Sequence, residues 1–305
     1  MKHFPLLRRN AARLPESDAI GPNGIQAQIQ RDVSSGAMQA DTQPATRRHF
    51  LRMGVTALGG ALLTACDRLS SNETVVGVMK SAQHLSRNVQ KLATGRRAMA
   101  QEFTEADIRG SFRSNGTSMP AGKAYEALMK DGFANWKLEV GGLVQKPMQF
   151  SLAELKAMPA RTQITRHDCV EGWSSIAKWK GVPLHQILAQ VQPLPGAQYV
   201  VFRCADPMDE VDEDDDEADI EASAYYESID MDDAWHAQTI LAYEVNDKAL
   251  PVENGAPLRL RVERQLGYKQ AKYLMKIELV ASFEHIRDGK GGYWEDHGYE
   301  WYAGI

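Results

Sequence analysis

Arg47 and Arg48 stand just before a short apolar, glycine-containing run, Met53 to Ala65. This pairing limits the fold more than any other feature. It reads as a twin-arginine export signal, which removes roughly the first third of the chain from the folded body. The run is too short to cross a bilayer comfortably. Residues 1–45 are polar, without apolar periodicity. That is long for a leader, so Met38 is an alternative start. Leu63-Thr64-Ala65-Cys66 ends the run in the form of a lipobox, where a cysteine is lipidated. The small residues before Cys66 also suit ordinary cleavage. The expected organisation is a signal region over 1–66, a tether over 67–102 with a helix around Ser86–Ala100, and a globular domain over 103–305. The last stretch fits one domain. A periplasmic location is expected, with a lipid anchor at Cys66. The twin-arginine route carries folded proteins, which raises the expectation of a cofactor inserted before export.

The chain has 35 Lys and Arg against 40 Asp and Glu. Ten of the acids fall in Asp209–Glu221, and the rest of the body is nearly balanced. Nucleic-acid binding gets no support from such a surface. The acidic run reads as a solvated loop; its competing role is a dock for a basic electron carrier.

The body alternates short strands and short helices. Asn135 to Val144 predicts a strand and turn, and Ser151 with Glu154 forms a capping box before a helix over Leu152–Met158. Gln163–Thr165 predicts a strand, Pro183 opens a helix reaching Val191, and Tyr199–Arg203 and Tyr273–Ala281 predict further strands. Leu258 to Glu263 alternates strictly, which predicts a half-buried strand with Arg259, Arg261 and Glu263 facing solvent. The stretch Gly289–Tyr302 is aromatic and irregular. Together these elements indicate an α+β domain.

Three cysteines occur, Cys66, Cys169 and Cys204, so two remain after the signal region. They could form a disulfide in an oxidising compartment. Cys169 lies in Arg166-His167-Asp168-Cys169-Val170-Glu171-Gly172-Trp173, too polar a segment for a packed thiol. As a hydrolase nucleophile it lacks a recognisable partner signature. Zinc is disfavoured because no paired cysteine or H-E-x-x-H spacing exists. A metal-ligand role gains from a second segment, Asn254-Gly-Ala-Pro-Leu-Arg-Leu-Arg-Val-Glu-Arg264 followed by Gly267-Tyr-Lys-Gln-Ala-Lys272. Arginine forks and backbone N–H groups at glycine turns suit a phosphate or a polar heterocycle.

Cys169-Val-Glu-Gly-Trp, Trp179-Lys-Gly-Val-Pro-Leu, Asn254-Gly-Ala-Pro-Leu-Arg259 and Gly267-Tyr-Lys-Gln-Ala-Lys272, in this order, resemble the sulfite oxidase-type molybdopterin oxidoreductases. The branch of periplasmic protein-methionine-sulfoxide reductase catalytic subunits is the most similar. The resemblance covers roughly Phe112 to Ser282. It implies the family's α+β molybdopterin-binding fold around one molybdenum–molybdopterin per chain. Cys169 falls on the molybdenum-ligating thiolate. Asn254 and Arg259 fall on pterin-binding positions, and Gln270, Ala271 and Lys272 on the stretch that holds the cofactor phosphate. Asn115 matches an amino-terminal cofactor-binding asparagine, and Cys204 stands where the reductase has a threonine at the cofactor. Arg166, His167 and Glu171 are expected to line the substrate entrance, with His167 either exchanging a proton or holding a structural place behind the site. The implied reaction is oxygen-atom transfer on a sulfur compound, by sulfoxide reduction or sulfite-type oxidation. The implied partners are a small or protein-bound oxygen-atom donor or acceptor and a membrane or soluble cytochrome, and the chain is expected to be a monomeric catalytic subunit. A non-catalytic exported binding protein on the same scaffold is the competing reading.

Overall fold

A computed structural model describes residues 98–208 and 222–305. The chain divides into Met1–Val76 and Gly77–Ile305, and every described residue belongs to the second unit. The export signal, Cys66, most of the tether and the run Asp209–Glu221 lie outside the described residues. So does the helix expected at Ser86–Ala100, except for its last three residues, which are not helical.

Five helices and ten strands follow in chain order among the described residues: α1 (Lys123–Lys130), β1 (Lys137–Gly142), β2 (Met148–Ser151), α2 (Leu152–Ala157), β3 (Arg161–Asp168), β4 (Ser174–Pro183), α3 (Leu184–Val191), β5 (Tyr199–Pro207), β6 (Ala224–Asp230), α4 (Met231–Ala234), β7 (Ile240–Val245), β8 (Lys248–Ala249), β9 (Arg259–Arg261), β10 (Leu274–Val280) and α5 (Tyr293–Asp296). One sheet has the order β2-β1-β10-β5-β6, with β1 and β10 parallel and the other neighbours antiparallel. The other runs β3-β4-β7-β8, with β9 also paired to β7.

Local chemistry explains several boundaries. Ser151 caps α2: its hydroxyl accepts from the Glu154 N–H, and the Glu154 carboxylate accepts from the Ser151 N–H at 2.8 Å. Pro183 occupies the position before α3, where its missing N–H costs nothing. The amphipathic α3 buries Leu184, Ile187, Leu188 and Val191. These join Leu138, Phe202 and Ile277 of the first sheet and Val182, Leu241 and Leu260 of the second in one apolar core. A smaller cluster around Trp179, Phe112 and Ile240 lies apart from it.

The strand expected at Leu258–Glu263 shortens to β9, and its charged face is not in solvent. Arg259 and Arg261 are fully buried and Glu263 nearly so. Arg261 is neutralised by Glu263, Nη2 to Oε2 2.6 Å, and both guanidinium groups lie over the Trp179 ring, at 5.0 Å for Arg259 and 4.4 Å for Arg261. Alternation shows two unlike faces, and burial of the polar one is decided by what packs on it. Part of the tail expected to be irregular forms α5.

Candidate active site

β3 and β4 form an antiparallel hairpin whose last pair is Asp168 with Ser174. Its loop is Cys169–Trp173, closed by Cys169 N–H to the Trp173 carbonyl at 2.9 Å and Gly172 N–H to the Cys169 carbonyl at 3.0 Å. Gly172 has φ +84°, a conformation that favours glycine. The tight loop turns Cys169, Val170 and Glu171 into a cavity of about 320 Å³. Asn115, Gln270, Ala271 and Lys272 line the same cavity. The fold thus gathers residues from positions 115, 169 and 270–272 in one place. Burial pushes the Cys169 thiol above its ordinary value, so it is not activated by itself. A thiol ligating a metal is deprotonated by that metal.

Strand alternation separates the other hairpin residues. Gln163, Thr165 and His167 face inward and Arg166 outward. Arg166 is exposed, pairs with Asp168 at 2.9 Å and does not line the cavity. His167 is fully buried, which agrees with a structural place behind the site rather than one at the entrance. Its ring lies edge-on to Phe112 and beside Trp173. Arg261 Nη1 donates to His167 Nδ1 at 3.1 Å, so the ring proton sits on Nε2. Burial, together with Arg261 and Arg259, holds His167 well below its ordinary pKa and therefore neutral. Gly267 makes room for it: a Cβ there would lie 2.4 Å from His167 Nε2.

The second segment supplies cations. Arg259 donates from Nη1 to the Asn254 carbonyl at 3.0 Å and from Nη2 to the Gln270 carbonyl at 3.3 Å. Lys272 donates to the carbonyls of Asn115 at 2.8 Å and Thr117 at 2.5 Å. Among the described residues neither cation has a carboxylate within ion-pair distance. Burial and the charge of Arg261 pull Arg259 down to about 9, and burial and Arg259 pull Lys272 down to about 7. Among the described residues, Asn115 Oδ1, Asn254 Nδ2, Arg259 Nε and His167 Nε2 are buried without partners. Cys204 is a free thiol packed in the apolar core and does not line the cavity; Cys169 is also free, so the two form no disulfide.

Several cavity residues were not anticipated. Asp206 is buried in the wall and raised by that burial to about 7. Its one signal, an acid at the end of a strand, is masked by the ten acids that follow. Tyr225, Tyr268, Trp294 and Tyr299 complete the wall. The last two come from the aromatic tail, whose composition was visible and whose destination was not.

The family described as oxidoreductase molybdopterin binding domain matches residues 125–285. The chain belongs to this family. This molybdopterin oxidoreductase is 35% identical over 258 residues to a subunit, YedZ1, of a candidate protein-methionine-sulfoxide reductase of Azospira oryzae, a match covering 85% of this chain and 87% of the relative. It is 28% identical over 234 residues to the protein-methionine-sulfoxide reductase catalytic subunit MsrP of Campylobacter jejuni, covering 77% and 73%. A solved structure, the sulfane dehydrogenase SoxCD of Paracoccus pantotrophus, aligns over 49% of this chain and 39% of its own with TM-score 0.42 and 23% identity, too partial to carry a conclusion.

The molybdopterin oxidoreductase is thus an enzyme with the family's α+β fold and a molybdenum–molybdopterin cofactor. The residues present fit that group. Two buried cations with no carboxylate at ion-pair distance among the described residues, and a set of unsatisfied buried polar atoms, are costly unless an anionic, hydrogen-bonding molecule joins them.

Proposed function

We propose that this enzyme is exported and transfers an oxygen atom to or from a sulfur compound, with sulfoxide reduction as its direction. One observation carries the reading: the Cys169 thiol faces the same cavity as Lys272, with Arg259 buried directly behind the wall. The direction rests on the relatives named as protein-methionine-sulfoxide reductases. When bound, the cofactor supplies the two-electron chemistry that moves the oxygen atom. Cys169 would ligate the metal, since a soft thiolate suits such a transition metal. Arg259, Lys272 and the backbone at Gln270 and Ala271 would hold the anionic and polar parts of the cofactor, with the side chains of Asn115 and Asn254 completing the set. Cys204 contributes packing behind this wall.

The remaining residues shape what enters. Val170 is 46% exposed and Tyr299 39%, and with Met208, Tyr268 and Trp294 they make an aromatic and apolar rim. Such a rim excludes water and favours sulfur against ring faces and edges. Glu171 is exposed at the hairpin tip, and its carboxylate accepts from the Trp173 indole N–H at 2.8 Å. His167 packs behind the site, where Gly267 leaves room for its ring. We place the enzyme in the periplasm, delivered by the Arg47-Arg48 signal, as the catalytic partner of a membrane or soluble electron donor such as a cytochrome. The organisation into signal, tether and catalytic domain follows from the same reading, and Cys66 is its candidate lipid anchor.

The test is molybdenum content of the exported protein, together with a reduced-dye assay over a panel of sulfoxides and sulfite. Stoichiometric metal and sulfoxide-dependent dye oxidation are expected, and Cys169→Ser should abolish turnover while circular dichroism stays unchanged. Activity that survives Cys169→Ser would refute the assignment.

A further inference from the structure

Asn115, Gln270, Ala271 and Lys272 belong to the cofactor in the proposed function. Much of what remains of the cavity lining is aromatic: Tyr225, Tyr268, Trp294 and Tyr299. Trp294 and Tyr299 come from the tail, beyond residue 285, where the family match ends. The matched segment therefore supplies Cys169 and the Gln270–Lys272 stretch, and the tail supplies two of the rings.

These rings are held in place. Trp294 and Tyr299 stack with centroids 5.3 Å apart and planes 29° from parallel, and Tyr268 meets Tyr299 edge-on at 5.3 Å. The residue after each tail ring is tied to the turn Gly267–Lys269. Glu295, after Trp294, lies 2.5 Å from the Lys269 ammonium, which also holds Glu227 at 2.5 Å, and all three side chains are buried. The Glu300 carbonyl, after Tyr299, accepts from the Tyr268 hydroxyl at 2.6 Å. Between these two anchors the Tyr299 N–H donates to the Trp294 carbonyl at 2.9 Å, and Gly298 turns the chain with φ +100°, a conformation that favours glycine. The anchors at Glu295 and Lys269 are buried, while the rings stay accessible: Tyr299 is 39% exposed, and Trp294 and Tyr268 are half-buried. Rings already ordered lose little freedom when a ligand stacks on them.

Charge narrows what this surface can receive. The charged residues of the lining are Glu171, Asp206 and Lys272. Lys272 already donates to two backbone carbonyls and belongs to the cofactor. Among the described residues no other cation lines the cavity to meet an anionic substrate.

We propose that Trp294 and Tyr299 are specificity-determining residues. With Tyr268 they select uncharged organic sulfoxides that carry a flat apolar substituent, such as an aryl group, by stacking against that substituent. Small alkyl sulfoxides offer the rings less surface, and sulfite offers them none. The sulfoxide as reacting group rests on the proposed function; the choice of substituent rests on the rings.

The test compares methyl phenyl sulfoxide with dimethyl sulfoxide as substrates of the purified holoenzyme. Calorimetry without reductant follows binding of methyl phenyl sulfone, which reports the rings without turnover. The wild type should prefer the aryl sulfoxide in kcat/KM, with the gain in KM. Trp294→Ala and Tyr299→Ala should each cut that preference and weaken sulfone binding by roughly 3- to 10-fold, the worth of an aromatic pair. Trp294→Phe and Tyr299→Phe keep a ring and should hold most of both; Trp294→Leu and Tyr299→Leu keep only bulk and should not. Molybdenum content should match the wild type in the Phe and Leu variants, so that a lost preference reports the rings and not a lost cofactor. An alkyl preference in the wild type, equal sulfone binding in wild type and Ala variants, or a preference retained in the Leu variants would overturn the proposal. An enzyme that reduces no sulfoxide would remove the reaction, while sulfone binding still decides the role of the rings.

Discussion

Arg259 has no carboxylate at ion-pair distance among the described residues, is fully buried and is drawn down to about 9 by burial and by Arg261. A cation in that position destabilises the empty protein and stabilises the loaded one. Arg259→Met should therefore move two measurements in opposite directions. Thermal unfolding of cofactor-free protein should keep or raise its midpoint, while molybdenum retained after dialysis should reflect an affinity loss of roughly 10- to 100-fold, the worth of charge-assisted hydrogen bonds. Asp206 makes a pH prediction. Its folded pKa is raised to about 7 by burial, against about 3.9 for an unfolded aspartate. The folded state then binds more protons between these values. The stability Asp206 contributes is complete below about pH 4 and is lost as pH rises through about 7. Urea midpoints of cofactor-free protein should show this loss, and Asp206→Asn should flatten it.

The hairpin of β3 and β4 converts a sequence neighbourhood into two environments. Cys169 and Glu171 reach the cavity because the loop is tight; His167, two residues before Cys169, is buried because it sits on the inward face of β3. The 3-10 turn Gly267–Lys269 presses on that face. A methyl group at Gly267 would meet His167 Nε2 at 2.4 Å, and the ring is held by Phe112, Trp173 and Arg261. Gly267→Ala should cost about 1–3 kcal/mol, as overpacking does. Denaturant titration measures this, and molybdenum content should fall with it because the same turn carries Gln270 to Lys272. The capping box of α2 and the amphipathic α3 were legible because they are local. The buried charged face of β9 was not, because local alternation is the same whether solvent or Trp179 lies opposite.

At the scale of the whole molecule, the proposed export signal lies in a part of the sequence separate from the catalytic body. The proposed export through the paired arginines predicts that replacing both Arg47 and Arg48 by lysine leaves unprocessed precursor in the cell interior. Fractionation with molybdenum analysis checks it, and normal export of that variant would exclude the route. Within the body, both sheets contribute to one core, and the cavity is lined from the amino-terminal loop at Asn115, the hairpin, β5, β6 and the aromatic tail.

The sequence by itself determined what is local or ordered in the chain. It marked an α+β body with capped helices and short strands, the family through four motifs in order, and Cys169 with the Asn254–Arg259 and Gln270–Lys272 segments as candidates for one site. Only the tertiary structure decided which of these residues meet. It turned Arg166 outward, buried His167 and Arg261 and packed Cys204 in the core. It brought Asp206, Tyr225 and the tail aromatics to the cavity and set two glutamates against one lysine behind it. The reason is physical. Side-chain chemistry and strand period are carried by neighbouring residues, whereas burial, counter-ions and pKa depend on what distant segments place opposite them.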